Sequence, residues 1–179
     1  MILIISTCRE KLSEYEFVNP IKRIAEKYGK VEIIRYDRVD KNVVKKYDRI
    51  IISSTVMKDF DYLNFIENFE WLKETDIPVI GICAGMQIIS VVFDNKLKEK
   101  EIIGVKNVKI VKETKLSKKG EIRAYFVTSK IPESKNNIEV LGLLENENVF
   151  FKIKNKEIYG TAFHPEVLNK DILQNFLSK

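Results

Sequence analysis

Strand-like runs alternating with helical patterns through the first half of the chain restrict the fold more than anything else in it. Met1–Thr7 is almost uninterrupted in apolar residues, the mark of a strand buried on both faces of a parallel sheet. Val31–Tyr36, Arg49–Ser53 and Pro78–Ile82 read as the second, third and fourth strands. Helical signals fill the gaps. Asn19-Pro20 reads as N-cap and first position of a helix running to about Tyr28 and stopped by Gly29. Asp40 is placed to cap a short helix through Tyr47. Between Asp59 and Glu74, Tyr62, Phe65, Ile66, Phe69 and Leu72 fall at three- and four-residue spacings, which predicts a helix with one apolar stripe. Met86–Phe93 continues the fourth strand as an apolar helix. Such βα alternation predicts an α/β fold, a doubly wound sheet with helices on both faces and its site outside the carboxyl ends of the strands.

The second half changes character. Ile102–Val111, Glu121–Val127, Ile138–Leu143, Val149–Ile153 and Glu157–Phe163 read as strands, with Lys118-Lys119-Gly120 and Lys154-Asn155-Lys156 as the clearest turns. Asn169 is positioned to cap a closing helix, Asp171–Leu177. Neither a repeat nor a low-complexity linker interrupts the chain, so residues 1–179 are expected to form a single domain.

Composition narrows the function classes. With 45% hydrophobic and 32% charged residues the chain matches neither a disordered tail nor a membrane protein, and no apolar run approaches the ~18 residues of a span. The opening Met1–Thr7 is too short and lacks the basic leader of a signal peptide. Two cysteines are too few for a disulfide framework, so the expected location is cytoplasmic. Lys outnumbers Arg 25 to 6 at a net charge of only +5, which argues against an Arg-forked nucleic-acid reader. Nine lysines crowd residues 96–119; they read as a solvated hairpin edge, or as a docking face for an acidic partner.

One segment carries chemistry. In Gly81-Ile82-Cys83-Ala84-Gly85 a buried strand turns directly into a helix, with a cysteine in the turn between two glycines. These are the mechanics of a nucleophile elbow: the glycines permit a tight turn and close packing, and the helix N-terminus favours thiolate over thiol. The Ala84 N–H is then an oxyanion donor. Alone, the motif is also compatible with a small buried cysteine, the structural role read for Cys8. A thiolate nucleophile needs a base, and the chain has one histidine, His164. Pro165 disfavours helical backbone at His164, so Glu166, two residues on, projects to the same side and is placed to orient the imidazole.

Gly81-Ile82-Cys83-Ala84-Gly85-Met86-Gln87 together with Phe163-His164-Pro165-Glu166 resembles the class I glutamine amidotransferase family, over essentially the whole chain. The resemblance implies a flavodoxin-like, mostly parallel sheet joined to a β-rich C-terminal half. It implies a glutaminase with Cys83 as nucleophile, His164 as base and Glu166 as its orienter, working without cofactor or metal. Glutamine would be held by Gln87, by the helix start at Ala84 and Gly85, by groups near Ser54 and Thr55, and by groups at Thr128 and Ser129. Ammonia would pass to a separate synthase or synthetase partner, with no role for nucleic acid or membrane. The sequence departs from the family pattern in three places. Ser53-Ser54-Thr55 stands where a Gly-Gly-Pro turn is usual, Thr128 stands where a His is common, and the loop over residues 8–17 lacks the usual Asp-Asn pattern. Two other readings stay open: a γ-glutamyl hydrolase or peptidase of the same fold, and a catalytically weak regulatory subunit.

Overall fold

A computed structural model describes residues 1–133 and 135–178. Among these described residues nine strands are formed: β1 (Ile2–Ser6), β2 (Val31–Arg35), β3 (Arg49–Ile52), β4 (Val79–Ile82), β5 (Leu97–Ile110), β6 (Gly120–Pro132), β7 (Ile138–Leu144), β8 (Glu147–Ile153) and β9 (Ile158–Thr161). They make one sheet in the order β2-β1-β3-β4-β9-β8-β7-β5-β6. From β2 to β9 every pairing is parallel; from β9 to β6 every pairing is antiparallel. The doubly wound half read from the βα alternation is thus present, with the β-rich half continuing the same sheet.

Among the described residues five α-helices accompany it: α1 (Glu14–Phe17), α2 (Asn19–Ala25), α3 (Lys41–Val44), α4 (Ala84–Val92) and α5 (Lys170–Leu177). Helix α2 packs with α5, whereas α3 and α4 share a neighbour in the segment Asp61–Lys73. Right-handed crossovers that run one way from β1 to β2 and the other way from β2 to β3 and β4 set the connecting helices on opposite faces. All five residues of β1 and Ile50–Ile52 of β3 are buried, as central parallel strands require. The last strand in sequence, β9, inserts beside β4, with Gly81 opposite Gly160 and Ile82 opposite Thr161. That insertion brings the two distant sequence motifs to neighbouring strand ends.

The antiparallel half is not flat. Register shifts interrupt β5 between Glu99 and Ile102 and β7 around Gly142, and such bulges bend a sheet and increase its twist. The sheet curls far enough that β6, five places from β4 in strand order, reaches back to it: Cys83 Sγ donates to Val127 O at 3.4 Å. Phe126, Phe150 and Phe163 meet edge to face inside the curl, with centroids 5.8–5.9 Å apart. Each such pair contributes about 0.5–1.5 kcal/mol beyond burial and anchors the segment preceding His164.

Several local expectations need correction. Residues 59–74 do not form one amphipathic α-helix: Asp61–Lys73 is 3-10 helix with a kink at Phe65 (φ −117°, ψ 25°). Tertiary anchors override the periodic pattern there, because Tyr36 OH donates to Asp61, the Tyr36 and Phe65 rings meet edge to face, and Asn68 donates to Tyr36 O. Asn19 is not an N-cap; α2 follows almost directly on α1 with Val18 at the junction, and it ends at Ala25, short of Tyr28. Asn169 occupies the cap position of α5 but makes no capping bond. Asp40 does cap α3, accepting from Asn42 N and Val43 N at 2.7 and 2.8 Å, though the helix ends at Val44.

The lysine-rich stretch lies on β5 and the loop after it. Lys98 and Lys100 pair with Glu147, Lys112 with Glu139 and Lys115 with Glu157. These are partly exposed pairs that each contribute ~0–1 kcal/mol, and they favour the solvated-edge reading. Among the described residues no helix is long and apolar enough to cross a membrane.

Candidate active site

Cys83 lies between β4 and α4 at φ 49°, ψ −96°, a conformation that costs a non-glycine residue ~1–3 kcal/mol. The surroundings hold it there. Cys83 N donates to Thr161 O at 2.7 Å, Gln87 N donates to Cys83 O at 3.0 Å, and Gly85 N donates to Ser53 O at 3.2 Å. Both flanking glycines are required sterically. A Cβ on Gly81 would stand 2.4 Å from Gly85 C, and one on Gly85 would stand 2.3 Å from Ile52 O. Ala84 is the first residue of α4, where helix geometry gives its N–H no intrahelical acceptor.

The structure brings His164 and Glu166 to this elbow from the end of β9. All three side chains are nearly sealed, at 4%, 2% and 4% exposure for Cys83, His164 and Glu166. His164 Nδ1 lies 2.8 Å from Glu166 Oε1, so the carboxylate holds the Nδ1 proton and leaves Nε2, which has no other hydrogen-bond partner among the described residues, to face the thiol. The ring contacts those of Phe17 and Tyr125, with centroids 6.2 Å away in each case, and His164 N donates to Tyr125 O at 2.8 Å.

Burial pushes the Cys83 thiol up, but His164, with help from the Thr128 and Ser54 hydroxyls, outweighs it and holds the thiol below its ordinary range. Burial likewise disfavours the imidazolium, and Cys83 and Glu166 outweigh it, raising His164 well above its usual value. Cys8 is the contrast: burial pushes its thiol up to about 11, and its Sγ donates to Ser54 O at 3.5 Å. The signs give a measurable prediction. Below its raised pKa the imidazolium stabilises the thiolate, so iodoacetamide should alkylate Cys83 with a pH midpoint below that of a free thiol. His164→Gln should move that midpoint upward.

The residues expected to hold substrate divide into two groups. Ser54 and Thr128, both fully buried, lie close enough to affect the sulfur. Thr55 Oγ1 donates to Asp59 Oδ2 at 3.0 Å, and Ser129 Oγ donates to Met57 O at 3.1 Å, so these two side chains tie down the loop after β3. Gln87 is buried and engaged at both ends, its Oε1 accepting from Tyr62 OH and its Nε2 donating to Lys130 O at 3.1 Å. It therefore bridges α4 to β6 and to the 3-10 segment.

Three contributors escape a reading of the sequence. Tyr62 reads there as core; burial, with Cys83 and Asp59 nearby, pushes its phenol up and keeps it a neutral donor. Asp59 accepts from Arg9 N, Thr55 Oγ1 and Asp61 N, joining the loops after β1 and β3. Val127 offers only its backbone, which no side-chain pattern announces. A cleft of about 750 Å³ is walled by Arg9, Glu10 and Ser13 after β1 and by residues from Val56 to Asn64 after β3. This is where the strand order reverses direction, and crevices in such sheets form there. Cys83 and His164 do not line it. Among the described residues no group of three His, Cys, Asp or Glu side chains is placed to hold a metal ion.

Comparison with known proteins follows the same lines. A family model of class-I glutamine amidotransferases matches residues 12–179. The chain is 26% identical over 153 residues to the glutamine-hydrolysing GMP synthase subunit of Sulfolobus acidocaldarius, covering 77% of this chain and 80% of that one. It is 26% identical over 196 residues to the imidazole glycerol phosphate synthase subunit HisH of Pelagibacter ubique, covering 90% and 92%. Among solved structures, a Thermoplasma acidophilum protein described as a GMP synthase subunit superposes with a TM-score of 0.85 at 19% identity, over 98% of this chain and 91% of that one.

Proposed function

The chain belongs to the class I glutamine amidotransferases, and on that premise we propose that it is a glutaminase subunit working through Cys83, His164 and Glu166. Glutamine's side-chain amide is attacked by the Cys83 thiolate. The oxyanion is stabilised by donors at the elbow, the Ala84 N–H among them. His164 passes its proton to the departing nitrogen, ammonia leaves, and a γ-glutamyl thioester remains on Cys83. Water deprotonated by the same imidazole then releases glutamate. Glu166 keeps the imidazole in the tautomer whose Nε2 faces the sulfur and does not itself take the proton.

The observation that supports this most directly is the pairing of β4 with β9, which sets an elbow cysteine and a carboxylate-held histidine at adjacent strand ends. Incubating the protein with glutamine and with γ-glutamyl peptides tests it: glutamate release from glutamine is expected, and exclusive turnover of the peptides would transfer the site to a γ-glutamyl hydrolase. Replacing Glu166 with Gln should lower kcat on the order of 1000-fold with little change in KM, since a wrong tautomer impairs chemistry and not binding. Activity equal to the wild type would remove Glu166 from the site.

The ammonia acceptor in this reading is a separate synthase subunit. Its support is that both curated relatives above are named as subunits of synthases, one of GMP synthase and one of imidazole glycerol phosphate synthase. A reducing cytoplasmic setting suits a working thiolate. Affinity purification from the native host, with the co-purifying synthase identified by mass spectrometry, decides between the two pathways.

A further inference from the structure

Strand order sets β3 and β9 on opposite sides of β4, so the sulfur of Cys83 is approached from two directions. From the β9 side comes His164. The β3 side carries Ser53, Ser54 and Thr55, all buried. Ile52 pairs with Gly81 in the parallel register, and extending that register by two residues sets Ser54 level with Cys83. The bond from Gly85 N to Ser53 O seats the first turn of α4 on this stretch. The adjacent Ala84 N–H points the same way along the helix axis. Base and donors therefore flank the nucleophile, as addition to a carbonyl requires.

The Ser54 hydroxyl is held ready on that side. Thr7 N donates to Ser53 Oγ at 3.2 Å, Thr7 Oγ1 donates to Ser53 O at 3.0 Å, and Cys8 Sγ donates to Ser54 O at 3.5 Å. None of Ser53, Ser54 and Thr55 has a positive φ, so the backbone runs through in an ordinary conformation. The hydroxyl's own acceptor is Thr55 O at 3.3 Å, a long bond that is easily exchanged for one to a charged oxygen. The other hydroxyl near the sulfur, Thr128 Oγ1, donates to Lys130 O at 3.2 Å and belongs to β6, beside Val127.

We propose that the Ser54 hydroxyl is a catalytic donor which, with the Ala84 N–H, stabilises the oxygen that becomes negative when Cys83 adds to the substrate carbonyl. As the S–C bond forms, the carbonyl π pair moves to oxygen, and the Ser54 O–H turns from Thr55 O to that oxygen without giving up its proton. When the intermediate collapses the C–N bond breaks, nitrogen leaves with the proton from His164, and the hydroxyl returns to Thr55. The proposal rests on Cys83 being an acyl-transfer nucleophile, as argued above.

Ser54→Ala tests it with three readouts: glutamine turnover, the acylation burst with p-nitrophenyl acetate, and iodoacetamide alkylation at a pH where Cys83 is fully ionised. Loss of one oxyanion donor predicts a fall of about 100- to 1000-fold in kcat for glutamine and a matching fall in the ester burst. Glutamine KM and the alkylation rate should stay close to wild type, because alkylation develops no oxyanion. An undiminished ester burst, or equal losses in burst and alkylation, would overturn the proposal. If the wild type acylates with the ester yet ignores glutamine, the glutaminase reading fails while the ester comparison still decides the role of Ser54. A wild type that neither gives a burst nor releases glutamate from glutamine overturns both, and one that turns over glutamine without a burst is judged on kcat against the alkylation rate. Should the alanine variant fail to fold, Ser54→Gly deletes the same hydroxyl and is judged by the same measurements.

Discussion

Cys83→Ala is expected to reduce glutamate release to background, a fall of at least ~10⁴-fold, because removal of the nucleophile in a triad of this kind leaves only the contribution of binding and the oxyanion donors. Thermal stability should barely change, since one sulfur is lost from a site held mainly by backbone bonds. A companion variant sharpens the result. The positive φ of Cys83 is unfavourable for alanine as well, so Cys83→Gly should be equally inactive yet more stable than Cys83→Ala by about 1 kcal/mol, roughly 2–4 °C in Tm. Kinetics and thermal melts on the two variants check both halves. Substantial turnover in either would move the nucleophile elsewhere, and identical melting points would mean the elbow is unstrained.

Gly85→Ala should be the most damaging methyl group in the protein. Helix propensity alone favours alanine over glycine by about 1 kcal/mol, so a propensity argument expects a rise in Tm. Sterics give the opposite sign, because the new Cβ would sit 2.3 Å from Ile52 O, a backbone atom that no rotamer change can move aside. Helix α4 must back away from β3, which breaks the bond from Gly85 N to Ser53 O and withdraws the Ala84 N–H from the sulfur. We expect a loss of at least about 3 kcal/mol, or roughly 6–12 °C in Tm, together with a fall in kcat on the order of 100-fold or more. An unchanged or higher melting point would show that the elbow has room the structure denies it.

The parallel half was legible because buried parallel strands announce themselves as short apolar runs, and the elbow because a nucleophile between two glycines has few other uses. The place of β9 was not legible. Nothing in Ile158–Thr161 says that the last strand in the chain inserts beside β4, and this contact, more than either motif, sets Cys83 against His164. The 3-10 segment was missed for a related reason. Tyr62, Phe65 and Phe69 repeat at helical spacing, but contacts from the distant Tyr36 decide the local geometry. Gln87 shows a different limit. The family resemblance assigned it to substrate, whereas its bonds to Tyr62 and Lys130, which depend on the curl of the sheet, show it bracing the wall.

That curl has a consequence for traffic. The cover over the sulfur on the Val127 side is an integral strand of the main sheet, zipped to β5 along almost its full length. Swinging it aside would unzip a ladder, whereas beyond the bonds of Thr7 and Cys8 to Ser53 and Ser54 the stretches after β1 and β3 meet through the bond from Arg9 N to the Asp59 carboxylate. The Asp59 flank, where a cleft already opens between those loops, therefore has fewer bonds to break than the strand side if a small molecule is to pass.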